Sequence, residues 1–428
     1  MRSRWWWVSG GVAAILVLCG GALVVQKWYT GMRGDQEAAE VAAWATEQAT
    51  LGSWPEARKV LAAQSTALVA GDEAGWMAAV DPSQPALRGY YQRLYATMRA
   101  LGVTGWSYFS DYDPLENFGT SEIQANVTVS YCLGVLDCPR TSPADDTLHL
   151  ELATVTQKLM LDKRDGAYKI VESQQTGKTQ PPWQNTELTF ATGDRVVVAA
   201  PASERGRLPE VVAAADKAAT EADKFARYTG VKPGKYHLYL AGDKEWGSWY
   251  GGEKETYAVG YAHATGTVGT DVVLEMSAMD NAGQLAQALR HEFGHVVTLN
   301  GADRTGELIL DLNQWLKEGV ADYIGLLPRN KVNYGRIAAL RGKPVPKDIR
   351  VDQLTEGATS ADAARLYGYG YLAVNCMATK YGEARTMNFV SAALRQHKTN
   401  DTAARQAFGV PFSKVNSTCL SYFRTIVG

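Results

Sequence analysis

The stretch QLAQALRHEFGHVVTL, residues 284–299, is the most informative part of this chain of 428 residues. Its leucines and valines recur at the spacing of one helical face, and nothing breaks the pattern before Asn300-Gly301. The stretch therefore predicts one amphipathic helix. From Gln284 onward the pattern is almost entirely helical, whereas shorter segments of strand character precede it.

Two of the six histidines of the chain lie on this predicted helix. His291 and His295 are four residues apart, so they project from one face, one turn from each other. Two imidazoles placed in this way can occupy two corners of a zinc tetrahedron. Glu292 is rotated about 100° from His291, which places it beside the metal, where a general base that activates water belongs.

A second predicted helix, Asn313–Leu327, carries Glu318 and Asp322 four residues apart among apolar neighbours. Unpaired buried carboxylates are costly, and a metal ion would explain the pair. Glu318 is the candidate third ligand. Asp322 could hydrogen-bond the outer nitrogen of a ligating histidine and fix its tautomer. The alternative interpretation is a solvated acidic edge, with two solvated histidines on a surface helix.

These two segments resemble a known group of enzymes. HEFGH at 291–295 followed by WLKEGVADY at 315–323 is similar to the gluzincin zinc metallopeptidases, and more narrowly to the peptidase-MA-like proteins, over roughly residues 190–428. The resemblance implies a zincin-like α+β fold, bound Zn²⁺ and hydrolysis of a peptide or protein substrate. The metzincin pattern does not fit, because Thr298 and Gly301 stand where that pattern has a glycine and a third histidine.

The resemblance also suggests a donor for the oxyanion of the tetrahedral intermediate. Tyr367 opens the segment YGYGYL, which is predicted to begin a helix that runs to Tyr381-Gly382 and resembles the family's tyrosine segment. Tyr369 and Tyr371 are the next candidates. His263, on a predicted strand over 257–263, is a lesser one.

The first half of the chain has a different organisation. Predicted helices up to Ala100 are followed by alternating segments, such as Ile123 to Tyr131, in which every second residue is apolar. This order predicts an α+β accessory domain over 31–175, and by element order alone it resembles cystatin-like or nuclear-transport-factor-like domains. A polar segment over 176–187 predicts a linker, and the metallopeptidase domain is expected over 188–428.

The N-terminus, residues 1–30, is predicted to be a single membrane-spanning helix. An uncharged apolar stretch from Trp5 to Val25 is long enough to span a bilayer. Arg2 and Arg4 before it favour a chain whose bulk lies outside the cell membrane. The alternative is a cleaved signal peptide.

The cysteines agree with an extracytoplasmic location. Besides Cys19 in the apolar stretch, four remain, and they predict the disulfides Cys132–Cys138 and Cys376–Cys419; four free thiols are the alternative. A net charge of −2 with interspersed signs gives no indication of nucleic-acid binding. Two functions remain open, a zinc peptidase and a non-catalytic zinc-binding surface module, and the presence of Glu292 favours the first.

Overall fold

The computed structural model has an α+β architecture with two separate β-sheets, which confirms the α+β class predicted from the sequence. It describes residues 54–111, 122–135, 138, 152–230, 232–253, 255, 257–266, 269–302, 313–327, 335–355 and 357–428. The predicted membrane anchor, Cys19 and the start of the predicted accessory domain lie outside these residues. Among the described helices, none combines the length and the apolar character needed to cross a bilayer.

The first part of the structure packs three helices against a four-stranded antiparallel meander of order β1-β2-β3-β4. Its elements are α1 (54–70), α2 (Glu73–Ala78), α3 (Pro85–Ala100), β1 (Val103–Asp111), β2 (Ile123–Leu133), β3 (Ala153–Arg164) and β4 (Ala167–Gln175). In β2 the residues at positions 123, 125, 127 and 129 are all buried, as their alternation predicts. The apolar face of this sheet therefore meets the helices.

The second part contains a mixed five-stranded sheet and a large helical region. Its elements before the metal site are α4 (Pro182–Asn185), β5 (Thr189–Thr192), β6 (Val196–Ala200), α5 (Leu208–Thr229), β7 (Tyr236–Ala241), α6 (Asp243–Trp246), β8 (Gly260–Ala264) and β9 (Thr270–Glu275). The helices that follow are α7 (Ala282–Leu299), α8 (Gln314–Gly325), α9 (Gly335–Leu340), α10 (Ser360–Tyr381), α11 (Glu383–Leu394), α12 (Asn400–Phe408) and α13 (Phe412–Val427).

The second sheet is buried on both faces. Its order is β5-β6-β7-β9-β8, with β6, β7 and β9 parallel and the two outer strands antiparallel to their neighbours. Val198, Leu238 and Leu274 face the helices that follow, whereas Val197 and Tyr239 join the core of the first part. Double burial explains why β6 is apolar at every position and does not alternate. The two parts of the chain thus share a continuous apolar contact.

Several details differ from the sequence predictions. Within the predicted linker, Trp183 of α4 is buried, and its ring lies 5.3 Å from that of Tyr131 in the first sheet. A tertiary contact therefore orders a segment that lacks apolar periodicity. The prediction that Tyr367 begins a helix was wrong: α10 begins two turns earlier, at Ser360, behind a capping box of Thr359 and Asp362.

The two predicted cysteine pairings are present as disulfides. Cys132 bonds to Cys138 at the end of β2, and Cys376 bonds to Cys419, which ties α10 to α13. The second link holds the helix that carries Tyr367 to the C-terminal helix of the chain.

Candidate metal centre

The two histidines lie on α7, which is held by side-chain hydrogen bonds at both ends. Asn281 caps its first turn, because its Oδ1 accepts hydrogen bonds from the backbone N–H groups of Gly283 and Gln284. At its C-terminal end, Arg395 donates to the carbonyl oxygens of Thr298 and Asn300, which the helix itself leaves unsatisfied. These contacts hold the helix rigidly beneath the site.

Glycines allow the site helices to pack at backbone distance. A Cβ atom added to Gly294 of α7 would lie 3.2 Å from the Cα of Ala321 on α8. A Cβ on Gly319 would lie 2.4 Å from the carbonyl oxygen of Gly370 on α10, closer than any real Cβ contact. The backbones of α7, α8 and α10 therefore approach one another directly, and this brings their side chains to one point.

His291, His295 and Glu318 meet at that point. The Nε2 atoms of the two histidines are 3.2 Å apart, and Glu318 Oε2 lies 3.4 Å from the first and 3.2 Å from the second. Two tetrahedral ligands at about 2.0–2.1 Å from one ion are separated by roughly 3.3 Å. The three spacings match that value, so the cluster could hold a metal ion.

Asp322 lies behind His291. Its Oδ1 is 2.8 Å from His291 Nδ1, which leaves Nε2 directed at the cluster when Nδ1 carries the proton. Burial disfavours the charged ring, but hydrogen bonds to Asp322 and Glu318 outweigh it and raise the pKa of His291 to about 10 in the metal-free protein. Burial raises the pKa of Glu318, but the charge of His295 and hydrogen bonds to His291 and His295 outweigh it and hold this pKa well below its usual range.

Glu292 lies beside the cluster and not among its ligands. Its side chain is buried, and within the described part of the chain its Oε2 has no hydrogen-bond partner. Burial raises the pKa of Glu292, while the charges of His291 and His295 oppose that shift. The edge strand β8 passes close by, since a Cβ on Gly260 would lie 2.9 Å from Glu292 Oε1. A buried carboxylate with an unused oxygen is suited to exchange a proton with a bound molecule.

Of the three candidate tyrosines, only Tyr367 lies at the cluster. Its ring centroid is 5.8 Å from that of His291, and burial together with the charge of Glu318 raises the pKa of its phenol well above the ordinary value. Tyr369 donates to Pro344 O and stacks on Phe423, and Tyr371 is buried in the helical core. The latter two are packing residues.

His263 lies on the other face of the edge strand. Residues three apart on a strand point to opposite faces, so His263 faces away from Glu292, which contacts Gly260. Its ring stacks on Tyr250 at a centroid distance of 3.8 Å, on the side of the sheet that meets the first part of the chain. The lesser candidate is therefore outside the metal cluster.

Sequence reasoning missed Arg336 on α9. Its Nη1 lies 3.2 Å from Asp322 Oδ2, and its guanidinium carbon lies 3.9 Å from the centroid of the Tyr367 ring. No periodic pattern in the sequence connects Arg336 with either residue. Gly319 and Gly370 were also missed, although a glycine inside a helix costs stability and so signals close packing.

No protein-family model matches this chain, and no curated protein shows significant similarity to it. The likeness to gluzincins rests on the motif residues themselves.

Proposed function

We propose that this chain is a zinc-dependent peptidase. The observation that carries the proposal is the tetrahedral spacing of His291, His295 and Glu318 beside the buried carboxylate of Glu292, one oxygen of which has no hydrogen-bond partner among the described residues. Two nitrogens and one carboxylate oxygen form the ligand set of catalytic zinc sites that keep one position open. Such a site uses a neighbouring carboxylate as its base.

Each residue of the cluster then has a distinct task. Zinc, when bound, supplies the Lewis acidity that makes water nucleophilic near neutral pH and polarises a peptide carbonyl. Glu292 takes the proton from the attacking water and delivers it to the leaving amine. Tyr367, whose phenol stays protonated because its pKa is raised, donates a hydrogen bond to the developing oxyanion.

A purely structural zinc site is the second candidate. Structural sites are normally closed by a fourth protein ligand, usually Cys or His. Among the described residues, the cluster has three candidate protein ligands, His291, His295 and Glu318. A structural site also has no need for the buried carboxylate of Glu292, whose burial without a full set of partners is costly. These two observations favour the peptidase.

The test combines metal content with peptide hydrolysis by the full-length protein. The wild type should contain about one zinc per chain and cleave members of a mixed peptide library, and His295→Ala should lose the metal. Glu292→Gln should keep the zinc and the fold but lose at least about 100-fold in kcat, because an amide cannot take a proton. Glu210→Gln, an exposed position on α5, serves as the matched control.

Two results would contradict the proposal. Hydrolysis by Glu292→Gln within tenfold of the wild type would show that another group is the base. Full zinc occupancy in the wild type without hydrolysis of any peptide would favour the structural site.

The proposal includes a location outside the cell membrane, with the apolar stretch from Trp5 to Val25 as the anchor. The disulfides Cys132–Cys138 and Cys376–Cys419 support it, because such bonds persist in oxidising compartments. Protease treatment of intact cells should degrade the bulk of the chain. Full protection of the chain from protease in intact cells would contradict the location. Release of the chain from membranes in a carbonate wash would contradict the anchor.

A further inference from the structure

Arg336 contacts two groups of the candidate metal centre at once. Its side chain is 34% exposed, and its Nη1 lies 3.2 Å from the Oδ2 of Asp322, a carboxylate that is itself only 3% exposed. Asp322 uses its other oxygen, Oδ1, to contact His291 Nδ1 at 2.8 Å. The guanidinium thus ends a chain of contacts that starts at a ligand of the metal cluster.

The same guanidinium covers an aromatic ring. Its central carbon lies 3.9 Å from the ring centroid of Tyr367, well within the range of a cation–π contact. The ring of Tyr367 also approaches the ring of His291, at 5.8 Å between centroids. The Tyr367 ring therefore contacts the guanidinium and lies next to a candidate ligand, and the guanidinium restricts its rotation.

Arg336 reaches this position from a separate helix. It lies on α9, whereas Asp322 is on α8 and Tyr367 on α10. The helix α9 is anchored by Ile337 and Leu340, which are buried in the core, so the arginine projects from a held backbone. One side chain thereby links the helix of the third ligand to the helix of the candidate oxyanion donor.

We infer that Arg336 is a positioning residue of the metal centre, which holds Asp322 against His291 and the ring of Tyr367 beside it. A planar guanidinium can form the hydrogen bond to a carboxylate and stack on an aromatic face at the same time, whereas an ammonium is a compact point charge. The two contacts are therefore separable by substitution. The role given to the Asp322 contact requires only that the cluster binds metal. The role given to the Tyr367 contact rests on the proposed peptidase function.

The experiment compares Arg336→Lys with Arg336→Gln in the full-length protein, by zinc affinity from chelator competition and by kcat on a cleaved peptide. Lys keeps the charge beside Asp322, so zinc affinity should stay within about threefold of the wild type. We expect kcat to fall roughly tenfold, because an ammonium held at Asp322 does not also stack on the Tyr367 ring as a planar guanidinium does. Gln loses both contacts, so zinc affinity should also fall, by roughly tenfold. Arg365→Gln, an exposed arginine on α10, is the control and should change neither quantity.

A double-mutant cycle with Tyr367→Phe identifies the route of the kcat effect. If Arg336 acts through the phenol, Arg336→Lys should lower kcat much less in the Tyr367→Phe background than in the wild type. An equal loss in both backgrounds, or a parallel change of zinc affinity and kcat in the Lys and Gln variants, would overturn the inference. If the wild type cleaves no peptide, the proposed function fails, and the zinc affinities alone test the role of Arg336. An unchanged zinc affinity in Arg336→Gln would then overturn the inference. A loss of zinc affinity in Arg336→Gln that is absent in Arg336→Lys would support it.

Discussion

Gly319→Ala tests whether the close crossing of α8 and α10 sets the metal site. Gly319 follows the candidate ligand Glu318 directly and faces Gly370. An added Cβ would lie 2.4 Å from the carbonyl oxygen of Gly370 and 2.5 Å from its carbon, and these are backbone atoms that cannot rotate away. Ordinary contact begins near 3.4 Å, so the two helices must separate by about 1 Å.

The separation has few directions available. On its other side α8 is already in close contact with α7, where Gly294 meets Ala321. Either α10 is displaced or Glu318 shifts with the backbone of α8. Overpacking of this kind costs roughly 1–3 kcal/mol of unfolding free energy. Because ligand distances must hold within about 0.2 Å, we expect zinc affinity to fall at least tenfold as well.

Two measurements check this prediction, the urea midpoint of the metal-free protein and zinc affinity by chelator competition. Gly335→Ala is the matched control, because Gly335 also lies in a helix of this region and a Cβ there meets no described residue within 4 Å. The control should be unchanged or slightly stabilised. If Gly319→Ala has the same urea midpoint and the same zinc affinity as the wild type, the close crossing does not position Glu318.

Two further predictions concern the metal site directly. Asp322→Ala should weaken zinc binding by roughly 10- to 100-fold without abolishing it, because Asp322 orients His291 and does not ligate; a chelator titration that showed complete loss would instead make it a ligand. Because the pKa of metal-free His291 is about 10, its ring is protonated at pH 7.5 and must lose that proton to bind zinc. Zinc affinity should therefore rise with pH up to about pH 10, and binding below that pH should release about one proton. Calorimetry in two buffers of different ionisation enthalpy measures this release. A zinc affinity independent of pH between 7 and 9 would refute the prediction.

The parts of the fold that follow a simple period were predictable from the sequence. The helix α3 ends at Ala100, as predicted, and α7 and α8 begin and end within two residues of the predicted helices. Elements that depend on tertiary contact were not predictable, such as α4, which is ordered by Trp183. The same distinction holds at the site. Residues spaced four apart on one helix could be identified, whereas Arg336 reaches the cluster only through the packing of α9.

The charges of the cluster explain how the site can fold before a metal ion arrives. Without a cation, Glu318 and Asp322 are balanced by the protonated His291 and by Arg336, and the raised pKa of Glu292 favours its neutral form. Buried carboxylates are tolerated only when they are compensated in this way. A dication that replaces the proton on His291 brings one additional positive charge to the site, and this charge favours the ionised form of Glu292. Metal binding would therefore oppose the effect of burial on the pKa of Glu292 and favour the carboxylate form that a general base requires.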